Sequence, residues 1–315
     1  MTSAVRSSIS PDTVFGGSPL SIGVQSILFN NEFRSIDRAV GALARAAELA
    51  IRGGACTRVT LQYGDSSPRP CLNEQHLESL REQYSDVLTI TYKFFEGNLG
   101  SARGHNRLAD ANQADILLVK NPDVVVSPRL LEIMLGEFVV SGVGMVEAKQ
   151  LPIEHPKDYD VQTGETSWAT TACAMIPMPL FRQLGGFDAS TFFLYCDDVD
   201  FSWQVRLAGF RVIFQPAAVA FHDKRLSVEG AWITSNAEGY FSAEAALLLS
   251  YKWSREDVTE RCLREFKRAG ADHLIQAANE YERRRAEGRL PAQLDQQHRI
   301  GQFVDGMYAK HRFPL

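Results

Sequence analysis

The chain has 315 residues, 45% hydrophobic and 23% charged, with a formal net charge of −5. That length bounds it at one large α/β domain, or one domain with a sizeable appendage, and no run of about eighteen apolar residues marks a transmembrane helix. The acidic balance carries no global nucleic-acid signature, and five scattered cysteines without a CxxC pair argue for reduced thiols in a cytoplasmic protein and against a zinc site.

Residues 1–19 lack a compact apolar core and read as a flexible lead-in rather than a signal peptide. LSIGVQSILF (20–29) is a short apolar run that stops at Asn30-Asn31, a first strand. A helix follows over 32–54, with apolar residues at helical spacing and a Gly-Gly stop. TRVTLQYGDSS is a second strand ending in a turn, NEQHLESLREQYS a helix and VLTITYKFF a third strand. SARGHNRLADANQ reads as a helix, and ADILLVKNPD as a strand broken at Pro122. SPRLLEIMLGEFVVSG opens with a Ser-Pro helix entry, and VGMVEAK is another strand. Strands alternating with helices over the first 150 residues imply a largely parallel, helix-covered sheet. Ligands bind such sheets beyond the carboxyl ends of the strands. The polar turns Asn30-Asn31, Asp65-Ser66 and Asn121-Pro122-Asp123 all fall there.

Residues 150–167 break the rhythm and read as a loop or hairpin at the rim. From 234 onward three amphipathic helices are expected. The first, 254–270, starts with a capping box at Ser254 and Asp257 and stops at Gly270; the others cover 272–288 and 294–310. Residues 231–315 hold 13 Lys+Arg and 12 Asp+Glu, leaving 20 against 26 in the first 230. The negative charge therefore sits in the front part, as suits a site that uses a cation.

Four stretches carry chemistry. Asp123 closes an apolar strand: it is either a turn aspartate capping the helix that follows, or an isolated carboxylate at the ligand edge, suited to a divalent cation that carries phosphates. His222 ends another apolar run and is either a partly buried structural histidine or a further contributor to that metal-diphosphate site. Asp197, Asp198 and Asp200 crowd the start of a helix ending at Gly209. A calcium loop is excluded because its glycine and distal glutamate are missing. Helix-dipole capping accounts for one or two of these carboxylates. One held against an apolar wall near a cation would be a good general base. Asp200 and Gln204 share a face of that helix. Last, EGNLGSARGHN opens a helix with Gly100 and Gly104 permitting close approach and Arg103 able to reach phosphate. It does not match a Walker loop.

In order, LFNNE, YGDSS, NLGSARGHN, LLVKNPDVVVSP, LGGFDASTFFLYCDDVDFSWQVRLAGFRV and FH resemble the family 2 glycosyltransferases of the GT-A fold. The nearest branch is the rhamnosyl- and galactofuranosyltransferase-like one of bacterial surface polysaccharide synthesis. The resemblance covers about residues 20–225, the GGFD…CDDVD stretch being its most specific part. It implies a GT-A catalytic domain over 20–230, a helical appendage over 231–315, and inverting transfer of one sugar from a UDP- or dTDP-linked donor to a hydroxyl of a glycan or lipid-linked acceptor. Carried over position by position, Asn30 and Asn31 meet the nucleotide, Asp65 hydrogen-bonds the base or ribose, and Arg103 lies near the diphosphate. Asp123 takes the place of the last aspartate of the metal-binding DxD element and His222 that of the later metal-ligand histidine, for Mn²⁺ or Mg²⁺. Asp198, second of its pair with Asp197, matches the general base. The DxD element is reduced here to Asn121-Pro122-Asp123. The QxxRW motif and membrane spans of processive members are absent, which favours one sugar per encounter.

Two rivals stand beside this reading: a sugar-nucleotide-binding protein without catalysis, and a sugar nucleotidyltransferase. The glycine-rich, basic signature of the latter is replaced after the first strand by FNNEFRS. Arg283, Arg284, Arg285 and Arg289 either are solvated while apolar stripes of the same helices cover the catalytic domain or a second subunit, or face the anionic cytoplasmic leaflet.

Overall fold

In the computed structural model, the residues described are 9–15, 19–154, 157–222 and 236–304. β1 (Leu20–Leu28), α1 (Phe33–Arg52), β2 (Cys56–Asp65), α2 (Glu74–Tyr84), β3 (Leu88–Phe94), α3 (Gly100–Ala109) and β4 (Ile116–Lys120) follow the expected alternation. Next come β5 (Val124–Val126), α4 (Leu130–Gly136), β6 (Val143–Leu151), β7 (Cys173–Pro177), α5 (Met178–Gln183), α6 (Asp197–Leu207) and β8 (Arg211–His222). The C-terminal part holds α7 (Asn236–Lys252), α8 (Glu256–Ala269) and α9 (Asp272–Ala286).

The strands form one sheet in the order β3-β2-β1-β4-β7-β6-β8-β5. β3, β2, β1 and β4 are mutually parallel, as are β6 and β8, while β7 and β5 run against their neighbours. β4 is buried along its whole length because helices cover both faces of the sheet. One face packs on α1, α2 and α4. The other packs on α3, α5 and α6. Ile36, Val40, Leu43, Ala47 and Ala50 give α1 its buried stripe, and Gly54, at φ 73°, lets the chain leave that helix.

The C-terminal helices do not stand apart. Val199 and Trp203 of α6 share a core with Leu247, Leu248 and Trp253 of the α7 end, Leu263 and Phe266 of α8, and Ala278 and Tyr281 of α9. Two expectations there need correction. Ser254 does not cap α8: it sits at φ 58°, outside the helix, and its hydroxyl donates to the Leu294 carbonyl. Residues 294–304 are not helical, because Asp295 and His298 adopt left-handed backbone and the Asp295 carboxylate accepts the N–H groups of Arg299, Ile300 and Gly301, closing a turn. The rest of that expected helix lies outside the described residues. The segment expected to be a helix from Ser127 to Gly142 is shorter, with α4 tightening into a 3₁₀ turn at Glu137–Val139.

Candidate active site at the carboxyl edge of the sheet

Parallel pairing brings the ends of β2, β1 and β4 to one edge, with Leu28 opposite Asp65 and the Ser26 hydroxyl donating to the Lys120 carbonyl at 2.7 Å. Asn30 sits exposed at φ 56°, its N–H donating to Ser67 Oγ at 2.8 Å, and Asn31 turns back to accept the Phe29 N–H at 2.8 Å. Phe29 is half exposed beside them. Asp65 is different from its expected role. Fully buried, it accepts the Ser67 N–H (2.9 Å), the Cys71 N–H (2.7 Å) and the Tyr92 hydroxyl (2.5 Å). With both oxygens engaged, Asp65 shapes the 65–71 loop.

Beyond β4 the chain turns through Asn121-Pro122-Asp123 and enters β5. Buried Lys120 clamps this turn, its ammonium donating to the carbonyls of Asn121 and Val124 at 3.0 Å each. Burial lowers that lysine to about 8. β5 pairs with the end of β8, so Asp123 Oδ2 lies 3.4 Å from His222 Nε2. Burial opposes ionisation of Asp123, yet the hydrogen bond and charge of His222 outweigh it and hold the carboxyl below its ordinary value. Gln150 Oε1 lies 2.9 Å from His222 Nδ1 and holds the ring from behind, with Nε2 turned toward Asp123. An imidazole oriented from behind beside a carboxylate is a donor pair that suits Mn²⁺ or Mg²⁺. Among the described residues no third histidine, cysteine or carboxylate joins it. Such an ion would take its remaining ligands from phosphate oxygens and water, as Mg²⁺ commonly does in phosphate sites.

Asp197 and Asp198 open α6 after two consecutive non-glycine residues in left-handed conformation, Tyr195 (φ 65°) and Cys196 (φ 57°). Backbone strain of this kind persists only where the surroundings over-determine it. Here two elements do so. α3 donates the Ser101 N–H to the Phe193 carbonyl at 3.0 Å, and the Ser101 side chain favours the charged form of the Asp197 carboxylate. Gly100 makes that approach possible, since at φ 70° a Cβ would stand 2.3 Å from the Phe193 oxygen. The preceding Leu99 N–H reaches Ser66 Oγ at 3.4 Å, so the 65–71 loop and the aspartate helix meet through the start of α3. From the other side, α7 supplies Lys252 to Asp200 and Asp188 at 2.8 Å each, and Trp253 Nε1 donates to Asp200 at 2.9 Å. Gln204 completes the shell of Asp200 at 2.6 Å. The third aspartate of the cluster is thus a structural anchor.

Asp197 and Asp198 are both nearly buried, at 3% and 5% exposure. Asp198 Oδ1 accepts the Val199 N–H at 2.9 Å, while Asp197 Oδ2 has no partner. Burial first, and then the neighbouring charge of Asp198, pushes Asp197 up to about 7. Asp197 therefore holds its proton to higher pH than an exposed aspartate would. Arg103 is exposed in the first turn of α3, two residues after Ser101.

Four residues here escaped the sequence reading: Ser101, Gln150, Lys252 and Trp253. Ser101 lay within a quoted motif; the other three act across the fold and carried no local signal. The arginines in and just after α9 are engaged by carboxylates: Arg283 by Glu280 and Glu287, Arg284 by Glu244 and Glu280, Arg285 by Glu260, and Arg289 by Glu287. Ala277, Ala278 and Tyr281 of the same helix are buried in the shared core. No described helix is long and apolar enough to cross a membrane.

No protein-family model matches this sequence, and no curated protein matches it. Solved structures do. A mannosyltransferase from Pyrobaculum calidifontis, in complex with GDP-Man and Mn²⁺, aligns over 76% of this chain at 15% identity with a TM-score of 0.55. GalNAc-T7 with UDP, GalNAc and Mn²⁺ aligns over 83% at 12% identity with a TM-score of 0.59. S. aureus TarS 1-349 in complex with UDP-GlcNAc aligns over 72% at 14% identity with a TM-score of 0.50. This chain spans 64%, 55% and 65% of the lengths of those three. At such identities the likeness is one of fold, and the fold is the GT-A type of glycosyltransferases.

Proposed function

We propose that the protein is an inverting, non-processive glycosyltransferase. It moves one sugar from a nucleotide-diphosphate donor to a hydroxyl of a glycan or lipid-linked acceptor. The observation that carries this reading is the pairing of two unlike sites along one sheet edge. One is the Asp123–His222 donor pair; the other is the buried Asp197–Asp198 pair. In the proposed reaction Asp198 accepts the proton of the acceptor hydroxyl while that oxygen attacks the anomeric carbon from the face opposite the diphosphate. The carbon–oxygen bond to the diphosphate breaks, and its electron pair leaves with the nucleoside diphosphate. Asp123 and His222 would hold a divalent ion, which when bound offsets charge on the leaving diphosphate. Asn30 and Asn31 take the nucleoside, and Arg103 the phosphates.

The motif resemblance to the family 2 rhamnosyl- and galactofuranosyltransferases supports a role in bacterial surface polysaccharide synthesis, on the cytoplasmic side. GDP-Man, UDP and UDP-GlcNAc are what the fold neighbours hold, so the donor base is sought among UDP, GDP and dTDP. Thermal-shift measurement with those three diphosphates, with Mn²⁺ or Mg²⁺ and with EDTA, tests the reading, because a ligand that binds only the native state raises its melting point. Metal-dependent stabilisation by one of them is expected. No shift with any would overturn it. A binding protein without catalysis would show the shift but no acceptor-dependent release of nucleoside diphosphate. A nucleotidyltransferase would instead release pyrophosphate from a nucleoside triphosphate.

A further inference from the structure

We infer that the buried Glu147–Lys157 ion pair is a latch that seats Trp168 and Ala169 against the helix bearing Asp198, and that this latch opens on acidification. The latch stands on its own geometry; only its bearing on proton transfer rests on the reading above.

Glu147 lies on β6, fully buried, and Lys157 comes from the β6–β7 connection with its side chain only 2% exposed. Its ammonium donates to Glu147 Oε2, donates to the Trp168 carbonyl at 3.3 Å, and sits 4.1 Å from the centre of the Trp168 ring. From there the path to the carboxylate helix is short. The next residue, Ala169, donates its N–H to Ser202 Oγ at 3.0 Å, and the Ser202 hydroxyl donates to the Asp198 carbonyl at 2.7 Å. Trp168 itself packs in the core that holds Val199 and Trp203. The middle of the connection is fastened differently. The Gly164 carbonyl accepts the Phe214 N–H at 2.8 Å, and the Thr166 N–H donates to the Val212 carbonyl at 2.9 Å, so backbone bonds tie that stretch to β8. Loss of the ion pair therefore frees the ends of the connection and leaves its middle in place.

The pair is incompletely satisfied. Asp200 takes donors from Lys252, Trp253 and Gln204, whereas Glu147 Oε1 has no hydrogen-bond partner among the described residues. A buried ion pair offsets its desolvation only when the remaining lone pairs are also met. Burial accordingly pushes Glu147 up to about 7 against the pull of Lys157, with Glu154 adding to the rise and the Thr170 backbone opposing it. Cys173 of β7 is pushed up by burial to about 12 and stays neutral, and Phe214, the β8 partner of Glu147, carries no charge. Once Glu147 takes up a proton, Lys157 is a buried cation without a counter-charge, and its long side chain carries the ammonium out to water. The latch is closed while Glu147 is ionised and open below that range.

Amide hydrogen exchange read by mass spectrometry on the full chain, without donor, tests this at pH 8 and pH 6, each rate being divided by that of the unstructured peptide. Protection of the peptide containing Ala169 is expected to fall about ten-fold from pH 8 to pH 6, since one unit below its midpoint only about a tenth of Glu147 is ionised, while β1 peptides keep theirs. Glu147→Gln, neutral throughout, should be poorly protected at both pH values. Glu147→Gln/Lys157→Met holds no buried cation, so its protection should be independent of pH and higher than in Glu147→Gln; simple damage to packing would make the double variant worse. Circular dichroism confirms that each variant is folded, and if Glu147→Gln is not, the pH response of the double variant decides. Equal wild-type protection at both pH values, a fall that persists in the double variant, or a double variant less protected than Glu147→Gln would overturn the latch. No donor is present, so the two readings fail separately: a missing nucleoside-diphosphate shift in the wild type faults transfer alone.

Discussion

Replacing Lys252 with methionine tests how firmly the C-terminal helices hold the helix that bears the proposed base. Lys252 Nζ is 2.8 Å from Asp200 and 2.8 Å from Asp188, and the Asp200 side chain is fully buried. At that separation and an effective dielectric constant of about 20, one such attraction amounts to about 6 kcal/mol before desolvation is subtracted. Methionine fills similar space but leaves Asp200 with only the Trp253 and Gln204 donors, and unpairing a buried charge typically costs about 3–5 kcal/mol. The pH dependence has a definite sign. Burial holds Asp200 above its ordinary value despite the opposing charge of Lys252. A raised folded value contributes stability that is present at low pH and lost as pH climbs through it. Without Lys252 that value moves higher, so the variant suffers most under mildly alkaline conditions. Asp188 has the opposite linkage but adds to the same deficit near neutral pH: although burial opposes it, bonds from Lys252, Ser190 and Thr191 hold it far below the usual range, and the stability it adds is lost only as pH falls below the ordinary carboxylate range. Urea unfolding followed by far-ultraviolet circular dichroism should therefore show a deficit of about 3–5 kcal/mol near pH 8 that shrinks toward about pH 4.5. A deficit under about 1 kcal/mol near pH 8, as for an exposed pair, or one that grows on acidification, would refute the anchoring role.

Asp198→Asn is expected to lower transfer about 10²- to 10⁴-fold while leaving diphosphate affinity by calorimetry unchanged; near-full turnover would move the base elsewhere. Because Asp197 is pushed up to about 7 by burial and by Asp198, the wild-type rate should rise with pH through that region. Asp197→Asn, which removes the neighbouring charge, should shift the rise to lower pH, and an unmoved profile would separate the pair from the proton transfer. Asp123→Ala should weaken diphosphate binding with Mn²⁺ present and leave it unchanged in EDTA; equal affinity to wild type in both conditions removes Asp123 from the metal pair. Gly100→Ala, at φ 70° and 2.3 Å from the Phe193 oxygen, should lower stability by more than the roughly 1–2 kcal/mol of a left-handed backbone alone, and a melting point equal to wild type would contradict the close approach. With Arg283, Arg284, Arg285 and Arg289 all paired, flotation with anionic vesicles should show no binding; salt-sensitive binding that vanishes when they become glutamines would revive the membrane reading.

The alternation of β1 through β4 with their helices was legible because parallel strands buried on both faces leave unbroken apolar runs, and polar turns mark where they end. Legible on the same ground were the edge positions of Asn30, Asp123 and His222. Partnership was not. His222 takes its orientation from Gln150, 72 positions away, and Asp200 its charge partner from Lys252, 52 positions away; no local periodicity encodes either. Asp65 looked like a ligand because of its place at a strand end, but the donors that occupy it come from a loop and from β3. Over its described part, 294–304, the helix expected from the sequence failed for a related reason. Its apolar spacing was adequate, but one carboxylate collecting three backbone N–H groups outcompetes a short helix.

The seam between α6 and α7 also makes the molecule optically legible. Trp203 and Trp253 stand 5.2 Å apart with their planes at 81°, and the chain has four tryptophans in all. Trp253 donates its indole N–H to Asp200, whereas that of Trp203 has no acceptor. Two touching indoles in unlike surroundings couple their excited states and produce paired ellipticity bands of opposite sign. The strength of that couplet follows the distance between the rings, so light alone can follow whether the helix carrying the carboxylate pair remains seated on the helices behind it.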